Sequence, residues 1–128
     1  VSLVNQPRLA RVGFVERLQI DLFNGVDNFK VNTLEYQKAV EHLLALERIN
    51  CGASHRAASV LLSLYNGSLF KVDLADVCGA LDSKYLKSVL VAIAGRHQLL
   101  MEPHAVVPNG ARLFEQLAEA YLPFGRSL

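Results

Sequence analysis

The feature that most constrains this chain is a run of helix punctuation between Ser54 and Leu100. Three stretches, SHRAASVLLSLYNG (54–67), SLFKVDLADVCGALD (68–82) and SKYLKSVLVAIAGRHQLL (83–100), carry aliphatic residues at helical spacing between capping residues and glycines. Ser54 is read as the cap of a first helix, with Ala57, Val60, Leu61, Leu64 and Tyr65 facing inward and Gly67 past its end. Residues 68–72 form an extended connector through Leu69, Phe70 and Val72. Asp73 then caps a short helical turn from Leu74 to Cys78, closed by Gly79. Asp82 or Ser83 caps a second long helix, whose inner face is read as Leu86, Val89, Leu90, Ile93 and His97. Arg96 and His97 in its last turn suit the negative end of the helix dipole.

The flanking segments extend the helical pattern and add one strand signal. Asn32 or Thr33 caps a helix ending near Asn50, with an inner stripe of Tyr36, Val40, Leu43, Leu46 and Ile49. Before it, LQIDLF, then Asn24-Gly25, then VDNFKV reads as a β-hairpin over 18–31, because Asn-Gly supplies the positive φ values of a type I′ turn. Pairing Ile20 with Phe29 and Leu18 with Val31 puts apolar pairs on one face. The rival reading, an amphipathic helix through Phe14, Leu18 and Leu22, runs into Asn24-Gly25 and stops. Residues 1–17 are loosely patterned, with Leu9, Val12 and Val15 sharing a helical face that Pro7 and Gly13 weaken. Downstream, Leu99–Met101 and Ala105–Val107 flank a small second hairpin or an irregular loop. Asn109 caps a last helix with Leu113, Phe114, Leu117 and Tyr121 inward, ended by Pro123. The expectation is a single, mainly α domain: a small bundle of four to five helices (32–122) with an N-terminal β-hairpin.

Bulk properties limit the functions open to such a bundle. Its 128 residues are enough for one core. Hydrophobic residues make up 52% and charged residues 20%; that apolar surplus points to a face that self-associates or meets a partner. A net charge of +1 gives no whole-protein field toward nucleic acid or anionic lipid, so a basic site has to be local. Cys51 and Cys78 make no disulfide framework and no signal peptide is evident, so reduced, cytoplasmic residence is expected. Apolar runs such as Val89–Ala94 are too short to span a membrane. The chain starts at Val1 rather than Met, which points to processing or a cloning remnant.

Six features of the central run recur together: His55-Arg56 opening a helix, Tyr65-Asn66 ending it, the turn Val72-Asp73-Leu74-Ala75-Asp76-Val77, the acidic cap Asp82, the aliphatic Val89-Leu90-Val91-Ala92-Ile93-Ala94, and Arg96-His97. In these features residues 39–122 resemble an uncharacterised domain family of bacterial plasmid and integrative-element proteins. The chain departs from that pattern where Leu64-Tyr65 replaces paired aromatics, and where Lys84 and Lys87 occupy usually acidic positions. The resemblance implies a mobile-element accessory protein and carries over no catalytic residue.

The sharpest chemical alternative is a helix-turn-helix. Leu74–Gly79 followed by Asp82–Leu90 has the small-residue and glycine spacing of that motif, and its second helix would present Ser83, Lys84, Lys87 and Ser88 to a major groove. Residues 82–112 hold four Lys/Arg against two acids. Against it, the turn is about one residue longer than the usual three to four. Asp73 and Asp76 would face phosphates, and the cation density is low for counterion release. A metal site finds no familiar set, since Gly52 and Ser54 separate Cys51 from His55, and His97 and His104 lack a third ligand. Asp73, Asp76 and Asp82 read as caps and first-turn acids. No phosphate-cradling loop, nucleophile elbow or HExxH occurs, so neither an enzyme nor a cofactor is expected. What remains is a binding role with a second copy or another protein as partner. Arg56, Asn66, Asp73, Asp76, Arg96 and His97 are the candidate structural polar residues, and an Arg56 contact with Asp73 or Asp76 would tie the first helix to the acidic turn.

Overall fold

The computed structural model describes residues 29–49 and 51–125, with side chains as far as Tyr121. The β-hairpin expected over 18–31, apart from its last residues, and the helical face through Leu9 lie outside the described residues. The compact unit that begins at Val31 carries six helices among its described residues. They are α1 Thr33–Glu47, α2 Gly52–Tyr65, α3 Leu74–Ala80, α4 Ser83–Leu99, α5 Pro103–Val106 and α6 Gly110–Gly125. Helices α1 and α2 occupy the middle. α1 packs on α4, α2 and α5, while α2 also receives α3, α4, α5 and α6.

The helix starts follow from side chains that satisfy the free N–H groups of a first turn. Asn32 Oδ1 accepts from Glu35 N–H at 2.8 Å and Glu35 Oε1 accepts from Asn32 N–H at 2.9 Å, a reciprocal capping box for α1. Asp73 accepts from Asp76 N–H at 3.1 Å and Asp82 from Tyr85 N–H at 3.3 Å, so both caps stand where expected. Ser54 differs. Helix α2 is capped at Cys51, three residues earlier, and Ser54 sits in its first turn. There its Oγ accepts from Cys51 N–H at 2.9 Å and donates to Cys51 C=O at 2.6 Å, which lets a hydroxyl be almost fully buried.

The core is the inner face of α1 and α2 closed by a few residues from each of the other helices. Tyr36, Val40, Leu43, Leu61, Leu62, Val77, Val89 and Phe114 are buried. Each fully buried large aliphatic or aromatic side chain contributes about 1.5–3 kcal/mol. Ile49 is not part of this face: α1 ends at Glu47, and Ile49 is 63% exposed. The C-terminal helix buries Phe114 and Leu117 and half-buries Leu113 and Tyr121, as the periodicity predicts. Its backbone continues through Pro123 to Gly125. A proline removes one N–H donor; in the last turn that forfeits a bond without stopping the helix.

Two joints differ from expectation. Between α4 and α6 the chain forms the short helix α5, with Pro103 in its first turn, instead of a second hairpin. Proline's fixed φ suits that position. Asn109 then turns with φ 58°, so it precedes α6 in a left-handed conformation rather than as an extended cap. Its carbonyl accepts from Leu113 N–H at 3.1 Å. Gly110 follows it, pressed against the His104 carbonyl where any Cβ would overlap backbone.

Candidate functional site

Helix α4 carries the candidate surface, and its orientation is set by one close approach. Tyr36 of α1 is fully buried, and its ring lies over Gly95 of α4, where a Cβ would sit 2.5 Å from Tyr36 Cγ. The Tyr36 hydroxyl donates to Met101 C=O at 2.8 Å. Burial pushes that phenol from its usual 10 up to about 12; Arg96 opposes the shift and Glu102 adds to it. A helix docked this closely needs small residues at the crossing, so α4 turns Val89, Ala92 and Gly95 inward.

That corrects the expected inner face. Leu90 is 52% exposed and Ile93 41%, His97 is exposed, and Leu86 is half-buried. At 100° per residue the Leu86–Leu90–Ile93–His97 stripe lies about 130° around the helix from Val89–Ala92–Gly95. Both stripes share the helical period. Periodicity alone cannot choose between them; the close approach of α1 does.

The opposite flank of α4 holds the residues proposed for nucleic acid. Ser83, Lys84 and Lys87 are exposed, and Ser88 is half-buried. Ser88 Oγ lies 2.7 Å from Nδ1 of His42 on α1, the donor depending on the imidazole tautomer. The His42 ring stacks on Tyr85 with centroids 4.3 Å apart and planes at 17°. Lys84 Nζ lies 5.2 Å from the centre of the same Tyr85 ring, within cation–π range. Glu35, Lys38, His42, Lys84, Lys87 and Ser88 line a groove of about 380 Å³ between α1 and α4. Sequence reasoning missed Lys38 and His42. Their spacing of four places them on one face of α1, but only the fold sets that face against Ser88, 46 residues away.

Of the remaining polar candidates, Arg56, Asn66, Asp73 and Asp76 make local hydrogen bonds. Arg56 on α2 does reach Asp76 on α3: Nη2 donates to Oδ1 at 2.9 Å, and Nε lies 2.9 Å from Oδ2 with its N–H poorly directed. The hydrogen bond to Asp76, then its charge, raises the guanidinium pKa. Arg56 also donates to Gly52 C=O at 3.2 Å. Asn66 ends α2, with its Oδ1 accepting from Leu69 N–H at 3.2 Å. Arg96 and His97 do occupy the last turn of α4. They are not brought together with Arg56, Asp73 or Asn66 into one site. Helix α3 packs on α2, whereas α4 packs chiefly on α1.

Other histidines make aromatic contacts. Tyr121 Oη lies 3.1 Å from His55 Nδ1, and His104 meets the edges of Tyr65 and Phe114. Burial, then the charge of Glu47, raises the Tyr121 pKa. Among the described residues no cluster of three or more His, Cys, Asp or Glu could hold a metal ion, and no helix is long and apolar enough to cross a membrane.

Fold and site together define a mainly helical domain whose distinctive surfaces are two flanks of one helix, one apolar and one cationic. The profile of a family of unknown function (DUF7673) matches residues 37–121, from the first turns of α1 to the body of α6, and the chain belongs to that family. Comparison with curated proteins and with solved structures gave no match.

Proposed function

We propose that this chain is a non-catalytic cytoplasmic accessory module that acts by protein–protein contact, with a second copy of itself as the first partner. The observation that carries this is the outward apolar stripe of α4, where Leu90 and Ile93 stand 52% and 41% exposed one turn apart beside half-buried Leu86. Aliphatic residues at i, i+4 and i+7 are the pattern by which one helix meets another. A two-fold contact between copies would cover the same stripe on both. The likeness of His55-Arg56, Val72–Val77 and Arg96-His97 to the plasmid-protein pattern supports a mobile-element setting. The test is light scattering on the wild type and on Leu90→Glu with Ile93→Glu. A dimer reduced to a folded monomer is expected, and a strictly monomeric wild type refutes self-association.

The second reading is DNA binding through α4, favoured by the exposure of Ser83, Lys84 and Lys87. Salt-dependent retardation of duplex DNA, lost in Lys84→Glu with Lys87→Glu, is its expected signature. No retardation at low salt ends it.

A further inference from the structure

We infer that the groove between α1 and α4 is a binding site for a small phosphate-bearing anion, separate from the apolar stripe. Three observations converge. Lys38, Lys84 and Lys87 bring three positive charges to one concavity of about 380 Å³, and none is in an ion pair with a carboxylate among the described residues. The one carboxylate in the lining, Glu35, accepts the Asn32 N–H in the α1 cap and leaves the three lysines in excess. In the same lining, Ser88 Oγ and His42 Nδ1 hold each other at 2.7 Å, and Tyr85 stacked on His42 fixes that ring.

The chemistry of the lining selects the ligand. Three ammonium groups on long stems supply charge, and a hydroxyl and an imidazole supply directional hydrogen bonds. Phosphate oxygens accept both kinds. Ala39 and Val91 add apolar wall where the organic part of a phosphate ester would lie. The concavity favours a compact ligand over a duplex. Ser88 is half-buried and bonded to His42 of α1, whereas a helix that reads a major groove projects its side chains outward.

Pyrophosphate titration at low salt, followed by amide and side-chain NMR, tests this. Pyrophosphate is expected to shift His42, Lys84, Lys87 and Ser88 saturably, while the Leu90–Ile93 flank stays still. Equimolar sodium sulfate is expected to shift the same signals far less. Lys84→Gln with Lys87→Gln, surface changes that leave the core intact, is expected to weaken binding about tenfold. Ser88→Ala, read by the same titration, is expected to weaken it with all three lysines present. A response to duplex DNA but none to pyrophosphate would overturn the small-ligand site in favour of a nucleic-acid face. Equal responses to sulfate and pyrophosphate, or binding indifferent to all three substitutions, would reduce the groove to solvated lysines. Loss of dimerisation by Leu90→Ser with Ile93→Ser, which adds no charge beside Lys87, is expected to leave these readouts in place, so the two proposals fail separately.

Discussion

Replacing Gly95 with alanine opposes two effects of known sign. In an exposed helix interior, alanine for glycine stabilises by about 0.5–1 kcal/mol, because the glycine backbone loses more freedom on folding. Here the added Cβ would lie 2.5, 2.7 and 2.9 Å from Tyr36 Cγ, Cδ1 and Cβ, far inside contact distance. The ring cannot swing aside without cost, since it is fully buried and its hydroxyl is bonded to Met101 C=O. Overpacking of this kind costs about 1–3 kcal/mol. Separating α1 from α4 would also strain the Tyr36 hydrogen bond, worth about 1 kcal/mol. The net expectation is a loss of about 1–2 kcal/mol, or a fall in Tm of about 4–16 °C for a unit of this size. Thermal and urea unfolding followed by circular dichroism measures it. Tyr36→Leu in the Gly95→Ala background removes the ring and is expected to recover part of the loss relative to the sum of the single changes. If Gly95→Ala is neutral or stabilising, the account of why α4 faces as it does is wrong.

Two further perturbations probe the same joint and its exit. Tyr36 has its pKa raised from 10 to about 12, so its contribution is fully present below pH 10 and is lost as pH climbs through 12. The shift corresponds to about 2.7 kcal/mol, reduced to roughly 1–2 kcal/mol by solvent screening. Stability measured from pH 9 to 12 is expected to fall in the wild type and to lose that component in Tyr36→Phe, itself about 1 kcal/mol less stable at neutral pH. Leu100 ends α4 at φ 55° while 81% exposed. Leu100→Gly is expected to stabilise by about 0.5–1 kcal/mol in urea unfolding, because glycine takes that conformation without strain. A loss of stability there would mean that the leucine side chain holds something in place.

The caps show what one sequence can reveal. Asp73 was legible outright, and Asn32 and Asp82 each as one of two adjacent candidates, because a short acceptor before an apolar periodic run has few other uses; each accepts a first-turn N–H. Buried residues on α1, α2 and α6 followed from spacing for the same local reason. Ser54 misled because a serine can serve a helix start from the cap or from inside the first turn, and only the backbone distinguishes them. Pro103 was a helix-start signal outweighed by the apolar residues on either side of it. The His42–Ser88 contact joins residues 46 apart on helices that meet only in the folded state, so no local pattern encodes it.

Helix α4 joins the fold to both proposals. Its inward face must be small because Tyr36 lies against Gly95. Helical geometry then leaves its larger aliphatics, Leu90 and Ile93, outside. Part of the 52% hydrophobic content therefore becomes surface as a consequence of core packing. The lysine flank is centred about 120° around the helix from that stripe, so a partner on one need not occlude a ligand on the other. If the stripe meets a second copy, Lys84 stays clear of the contact, and Lys87, one turn from Leu90, stands at its rim. A wild-type dimer that binds pyrophosphate, as does a monomer made by Leu90→Ser with Ile93→Ser, is therefore the outcome expected.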